Sequence, residues 1–164
     1  FGMFVLILQH WPLGMGSVKV VAGWMSAAIL GMTRSGLPSD EFDNESLWPR
    51  ARLFRLFMAG MAVMIVAAVT PGVDTAMADA GYPVTAASLI LIGMGLLHLG
   101  ITSYILRVVI GLMTVLSGFE IIYAAVEGSV LVAGLLAVIN LGLALVGAYL
   151  LIAENAPPEE AESL

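Results

Sequence analysis

Four polar side chains lie inside otherwise apolar stretches of this sequence, and their types could carry chemistry. Glu120 is the only acidic residue within the long hydrophobic runs, and Lys19, His98 and Asn140 each lie within another run. Ionising a carboxylate at membrane depth is costly, so an intramembrane acid indicates a functional site with a partner. A carboxylate combined with an amine, an imidazole and an amide is a set that can carry protons or cations.

The apolar runs that hold these residues are long enough to cross a membrane. The chain has 164 residues, of which 60% are hydrophobic and 11% are charged, and its mean hydropathy is +1.03. Roughly 20 apolar residues span a bilayer as a helix. The sequence therefore predicts an all-α, polytopic transmembrane helix bundle with five full spans and a truncated N-terminal span at 1–9. The predicted full spans are 13–33, 53–70, 84–106, 108–126 and 129–153.

Basic residues are confined to one side of the predicted bundle. If loop 34–52 is cytoplasmic, all Lys and Arg residues except Lys19 lie on that side. Cytoplasmic loops carry an excess of such residues. We therefore expect a multi-pass protein of the cell's inner (cytoplasmic) membrane, with loop 34–52 and a disordered acidic tail at 154–164 in the cytoplasm. The basic residues on that side are Arg34, Arg50, Arg52, Arg55 and Arg107, of which Arg107 is expected in the turn after span 84–106.

Glu120 and Lys19 are predicted to lie at similar depths in the outer half of the bundle. By helical rise, Glu120 lies ~12 Å from Gly128 and Lys19 lies ~10 Å from Pro12. Lys19 shares its helical face with small residues such as Gly23, which favour close helix packing. An ion pair between Lys19 and Glu120 is one expectation. The alternatives are a Lys19 that snorkels to the surface and a neutral Glu120 bonded to a Ser or Tyr hydroxyl.

His98 and Asn140 are predicted to lie deeper, near the middle of the membrane. By helical rise, His98 is ~21 Å past Val84 and Asn140 is ~18 Å past Gly128. The two side chains could form a polar pair or a water-linked relay with Glu120. The alternative is structural, with a neutral imidazole donating to a backbone carbonyl and Asn140 joining two helices by a hydrogen bond.

Other kinds of site leave no pattern in the sequence. The absence of cysteine excludes disulfides, Cys-ligated clusters and Cys-based zinc sites. A haem held by His10 and His98 is disfavoured, because the two residues are expected at different depths. The formal charge of −6 comes mainly from the loop at 40–45 and the tail, so it does not indicate a nucleic-acid partner. We expect no cofactor and no metal site of the chain's own.

The segments around Glu120 carry a recognisable pattern. The first is LGITSYILRVVIGLMTVLSGFEIIYAAVEG, beginning at Leu99, and the second is LVAGLLAVINLGLALVGAYLL. They combine a short basic turn at Arg107 with a membrane-embedded Glu120 that is followed by Ile121 and Ile122. In these features residues 84–153 resemble the K-type small membrane subunit of complex I. They are also similar to the C-type subunit of multi-subunit cation/proton antiporters and to the E-type subunit of membrane hydrogenases.

The resemblance implies a three-helix bundle at 84–153, preceded by additional transmembrane helices within 1–83. It also implies a non-catalytic subunit of an antiporter-like or respiratory complex, in which Glu120 contributes to proton or cation translocation beside other membrane subunits. Where the complex I subunit has a second carboxylate, this chain has Asn140. From their positions in the other runs we expect Lys19, His98 and Asn140 along the same path. A secondary transporter fragment and a structural scaffold subunit are the alternatives, and no nucleophile–base pair predicts an enzyme.

Overall fold

Every described part of the chain is a helix or a short connection between helices. The computed structural model describes residues 13–36, 49–77, 80–102, 104–126 and 129–155. Within these ranges the five helices are each long and apolar enough to cross a membrane, which confirms the predicted all-α polytopic bundle. The predicted span 1–9, most of loop 34–52 and most of tail 154–164 lie outside the described residues. The helices are α1 (Leu13–Ser35), α2 (Pro49–Ala76), α3 (Tyr82–Ile101), α4 (Ile105–Val126) and α5 (Val130–Glu154).

Large apolar side chains cover the outside of the bundle. Trp24, Met32, Leu56 and Leu131 are among the most exposed of them. Soluble monomers rarely expose apolar surface on this scale. Together with the length of the helices, this surface identifies a multi-pass protein whose helices contact the lipid bilayer.

The second helix is longer than the sequence predicted. It continues through Pro71 to Ala76, whereas the apolar run predicted an end at Thr70. Proline removes one backbone donor, but membrane helices tolerate it when nearby side chains bond the backbone carbonyls. Pro71 removes the donor to the Ala67 carbonyl, and the Thr70 hydroxyl bonds the adjacent Val66 carbonyl at 2.6 Å. The helix nevertheless continues past Pro71 to Ala76.

The connection between α3 and α4 lies earlier than predicted. The helix α3 ends at Ile101, because Thr102 has an extended conformation with φ −123° and ψ 141°. The next helix starts at Ile105, so Arg107 lies in the first turn of α4 rather than in the connection. Its guanidinium carbon lies 5.3 Å from the centroid of the Tyr104 ring, a cation–π contact at the start of the helix.

Small residues allow α3 and α4 to pack closely. A methyl group at Gly118 would lie 2.7 Å from the Ser88 carbonyl oxygen, and one at Gly95 would lie 2.8 Å from the Val115 backbone nitrogen. Membrane helices use such residues because association depends on close van der Waals contact. This seam fixes the position of α4, which carries Glu120.

The first helix packs against the last. Its buried face carries Ala22, Ser26 and Leu30, and the buried face of α5 is also composed largely of small residues, including Ala137 and Ala144. Because α4 also packs against α5, the helices α1, α4 and α5 meet in one part of the bundle. The division of the chain into 1–83 and 84–153 stays a prediction, but α1 contributes directly to the site that follows.

Candidate functional site

An ion pair joins α1 to α4. The Lys19 Nζ atom lies 2.6 Å from the Glu120 Oε1 atom. The exposed fraction of the side chain is 6% for Glu120 and 20% for Lys19, so the ammonium points into the bundle and does not snorkel. The ion pair expected from face and depth is therefore present.

Asn140 of α5 binds the same carboxylate oxygen. Its Nδ2 atom donates a hydrogen bond to Glu120 Oε1 at 2.9 Å, and both side chains are buried. The hydroxyl of Ser117, one turn before Glu120, instead donates to the Met113 carbonyl at 2.8 Å. The partners of Glu120 in the structure are thus the ammonium of Lys19 and the amide of Asn140. We call Lys19, Glu120 and Asn140 the carboxylate site.

The positions of Lys19 and Glu120 in their helices explain why they meet. Lys19 is six residues after the start of α1, and Glu120 is six residues before the end of α4. At 1.5 Å per residue, each lies ~9 Å from the helix end. Successive spans run in opposite directions, so the start of α1 and the end of α4 lie on the same side of the bundle. The two residues therefore share a depth.

The carboxylate site retains hydrogen-bonding capacity. Lys19 Nζ pairs with Glu120 Oε1 and, as an ammonium, can donate to further acceptors. Two other buried polar atoms, Asn140 Oδ1 and Ser26 Oγ, have no hydrogen-bond partner among the described protein groups. Buried polar atoms nearly always have partners, which are often internal water molecules. The chemistry of the site therefore suits water or another small polar species beside the ion pair.

A groove of about 470 Å³ lies between α1 and α4. It begins near Arg34 and Leu106 and extends to Gly23 and Ser117. Gly23 is four residues from Lys19, and Ser117 is three residues from Glu120, so the groove ends one helical turn from the ion pair. We call this space the α1–α4 groove. Its remaining lining residues are Ala27, Leu30, Gly31, Ile110, Met113 and Thr114.

The α1–α4 groove leads away from the site to one end of the bundle, which we call the basic end. Arg34 is in the last turn of α1, Arg107 is in the first turn of α4, and Arg55 is near the start of α2. These three ends lie on the same side, because successive spans run in opposite directions. The groove is open because the face of α1 that lines it carries small residues such as Gly23 and Ala27.

His98 does not join the carboxylate site. The sequence predicted it near the middle of the membrane, but it lies in the last turn of α3, because that helix ends at Ile101. There it lines a second cavity together with Arg55 and Arg107. Arg107 precedes Glu120 by 13 residues on α4, which is ~20 Å of helix. His98 therefore does not contact Glu120 directly, and its place on a proton or cation path stays a prediction.

Several polar features of the structure were not predicted from the sequence. The cavity beside His98 is lined by side chains from α2, α3 and α4, so no single apolar run could predict it. The extension of α2 brings Asp74 into a helix, where its Oδ1 atom accepts a 3.4 Å hydrogen bond from the Thr85 hydroxyl. Ser26 is fully buried in α1, the helix that packs against α5. Within the described ranges, no group of three or more His, Cys, Asp or Glu residues is arranged to hold a metal ion.

Comparisons of the chain with protein-family models, curated proteins and solved structures found no match. The resemblance of residues 84–153 to small subunits of complex I, antiporters and hydrogenases thus stays a prediction. The chemistry and geometry of the carboxylate site are the observations that bear on function.

Proposed function

We propose that this chain is a non-catalytic membrane subunit that helps to translocate protons or cations through Glu120. The observation that carries the proposal is the position of the Lys19–Glu120 ion pair, buried in the bundle at the end of the α1–α4 groove. An ionisable group inside a membrane protein commonly belongs to an ion or proton path. Here the ionisable group is Glu120, its partner is Lys19, and the α1–α4 groove is the route by which an ion would approach it.

In this proposal Glu120 accepts and releases the proton. The Lys19 ammonium and the Asn140 amide, both in contact with Oε1, stabilise the ionised carboxylate. A proton that reaches Glu120 neutralises it and removes the attraction to Lys19. The ammonium and the amide stay beside the carboxyl group and bind the carboxylate again once the proton has left. Alternation between the neutral and the ionised carboxyl group would explain why Glu120 is paired with Lys19 and not isolated.

The α1–α4 groove supplies access from the basic end. The hydroxyls of Thr114 and Ser117 line it and donate to carbonyls of their own helix, at 2.7 Å and 2.8 Å. Their oxygen atoms therefore remain available as acceptors for water molecules in the groove. Such water would also supply partners for Lys19 Nζ and Asn140 Oδ1. A chain of water molecules along this route would carry protons to the ion pair.

The open shape of the groove favours a partner subunit. Lipid cannot conduct protons, so a groove that is open along its side conducts only when another protein covers it. This supports assembly with other membrane subunits, of the antiporter-like or respiratory type that the resemblance implies. By the positive-inside rule we place the basic end in the cytoplasm and the chain in the inner membrane. The chain itself would hold no cofactor.

Substitution of Glu120 by Gln tests the proposal. Gln keeps the size and most of the hydrogen bonding but cannot change its protonation state. We expect the complex, isolated through an affinity tag on this chain, to contain the same partners while proton- or cation-coupled transport in membrane vesicles is lost. Glu154→Gln is the matched control, because Glu154 is exposed at the end of α5. Transport at the wild-type rate by an assembled Glu120→Gln complex would refute the proposal.

A structural scaffold is the second candidate, and one observation favours it. Glu120 is already paired with Lys19 and bonded to Asn140, so the site joins three helices. In that role a neutral pair of similar shape would serve equally well. The combined variant Lys19→Met with Glu120→Gln then separates the two functions. A scaffold would retain transport in the complex, whereas a proton path would lose it.

A further inference from the structure

We infer that the cavity at the basic end binds the phosphate group of an anionic phospholipid. The cavity is distinct from the carboxylate site and has a volume of about 460 Å³. It lies between α2, α3 and the start of α4. Arg55, His98 and Arg107 line it, and its described lining residues include no carboxylate.

The basic side chains of the cavity suit a phosphate. A guanidinium group matches phosphate oxygens with parallel hydrogen bonds, and basic pockets between membrane helices bind anionic lipid head groups. The cation–π contact with Tyr104 holds the Arg107 guanidinium at the cavity. Arg107 also lies in the first turn of α4, where the helix dipole adds partial positive charge.

Thr102 provides a polar group at the same place. Thr102 lines the cavity, and its hydroxyl oxygen is buried and has no hydrogen-bond partner among the described protein groups. A hydroxyl can donate to a phosphate oxygen. This observation points to a ligand independently of the arginines, because a buried hydroxyl that lacks a partner is unfavourable.

The rest of the cavity wall identifies the phosphate as that of a lipid. Leu56 of α2 and Leu97 and Ile101 of α3 line it, together with Met94, one turn deeper in α3 than His98. Such a wall suits the start of an acyl chain and offers nothing to a soluble phosphate ion. The basic groups lie near the helix ends, where lipid phosphates lie, and the apolar groups lie towards the membrane interior. The basic groups and the apolar wall therefore follow one another in the same order as the phosphate and the acyl chains of a phospholipid.

Lipid binding by the purified full-length chain tests this inference. Native mass spectrometry would measure the affinity for dioleoyl phosphatidylglycerol, for zwitterionic dioleoyl phosphatidylcholine and for inorganic phosphate. We expect preferential binding of phosphatidylglycerol that falls at least about tenfold in an Arg55→Gln/Arg107→Gln double variant, because both guanidiniums contact the head group. Arg34→Gln is the matched control, since Arg34 lies at the same end but lines the α1–α4 groove. An equal loss in the control would show non-specific charge attraction and overturn the inference.

A second variant keeps every charge and so separates lipid binding from a folding defect. Ala59→Trp fills the apolar part of the cavity, whereas Ala67→Trp adds the same side chain to an exposed position of α2. Only Ala59→Trp should weaken phosphatidylglycerol binding, with circular dichroism unchanged in both. Binding that is equal in the two variants, or phosphate ions that compete with the lipid at millimolar concentration, would overturn the assignment to a lipid.

Discussion

Lys19 on the first described helix lies 2.6 Å, from Nζ to Oε1, from Glu120 on the fourth. A buried ion pair is not in itself a strong stabiliser, because both charges lose their hydration when they are buried. Hydrophobic residues of similar volume would often hold two helices together equally well. Stabilisation alone therefore does not explain why a carboxylate and an ammonium are buried at this place.

The first prediction concerns the coupling between these two residues. Removing one partner of a buried pair leaves the other charge uncompensated and typically costs about 3–5 kcal/mol. We expect Lys19→Met and Glu120→Gln each to lower the free energy of unfolding in detergent, and the combined variant to be more stable than at least one single variant. A double-mutant cycle measures the interaction. Strictly additive losses would show that the two side chains do not interact.

The second prediction concerns access along the α1–α4 groove. The chain has no cysteine, so a single Ser117→Cys substitution can be labelled selectively. We expect a small, charged thiol reagent applied from the basic end to modify it. Adding Ala27→Leu, which fills the groove, should slow the modification severalfold, whereas Ala28→Leu on the neighbouring position outside the groove should not. Equal labelling rates in the two leucine variants would mean that the groove is not the route.

The third prediction concerns the seam between α3 and α4. Gly118→Ala places a methyl group 2.7 Å from both the Ser88 carbonyl oxygen and the Ile92 Cγ1 atom, so the helices must separate. Overpacking of this kind costs about 1–3 kcal/mol. Gly142→Ala is the control, because its methyl group meets nothing within 4 Å. We expect thermal unfolding to begin at a lower temperature in Gly118→Ala only. Equal stability of both variants would contradict the described packing.

The fourth prediction concerns orientation. Because the basic end carries the arginines, we expect it to face the cytoplasm. A membrane-impermeant maleimide should label Ala76→Cys in intact cells and Ser35→Cys only after permeabilisation. These residues lie at opposite ends of the bundle, in the last turns of α2 and α1. The reverse pattern would invert the topology.

The sequence predicted the number and type of helices well, because long apolar runs have few alternatives in a membrane. The predicted run 129–153 and the helix Val130–Glu154 differ by one residue at each end. The errors occurred where local chemistry decides the helix end. Pro71 suggested that α2 ends there, but the helix tolerates the proline and continues. The extended conformation of Thr102, which ends α3, is not indicated by any apolar pattern.

The candidate site was predictable only in part, for a geometric reason. The small residues on the face of Lys19 and the similar depth of Glu120 were sufficient to predict the ion pair. Helices that are apolar on all sides do not reveal which neighbour a given face contacts. Consequently Asn140 was expected near Glu120 without a defined bond, and His98 was expected deeper in the membrane than its position in the last turn of α3.

The central claim is that Glu120 changes its protonation state inside the assembled protein. Infrared difference spectroscopy on the isolated complex, recorded as the pH is varied, measures this through the carbonyl stretch of a protonated carboxylic acid. We predict a signal of this kind that is absent from Glu120→Gln, present in Glu154→Gln, and shifted in frequency by Asn140→Leu, because Asn140 donates to the carboxylate. Identical spectra from wild type and Glu120→Gln across the pH range in which the complex transports would contradict the account.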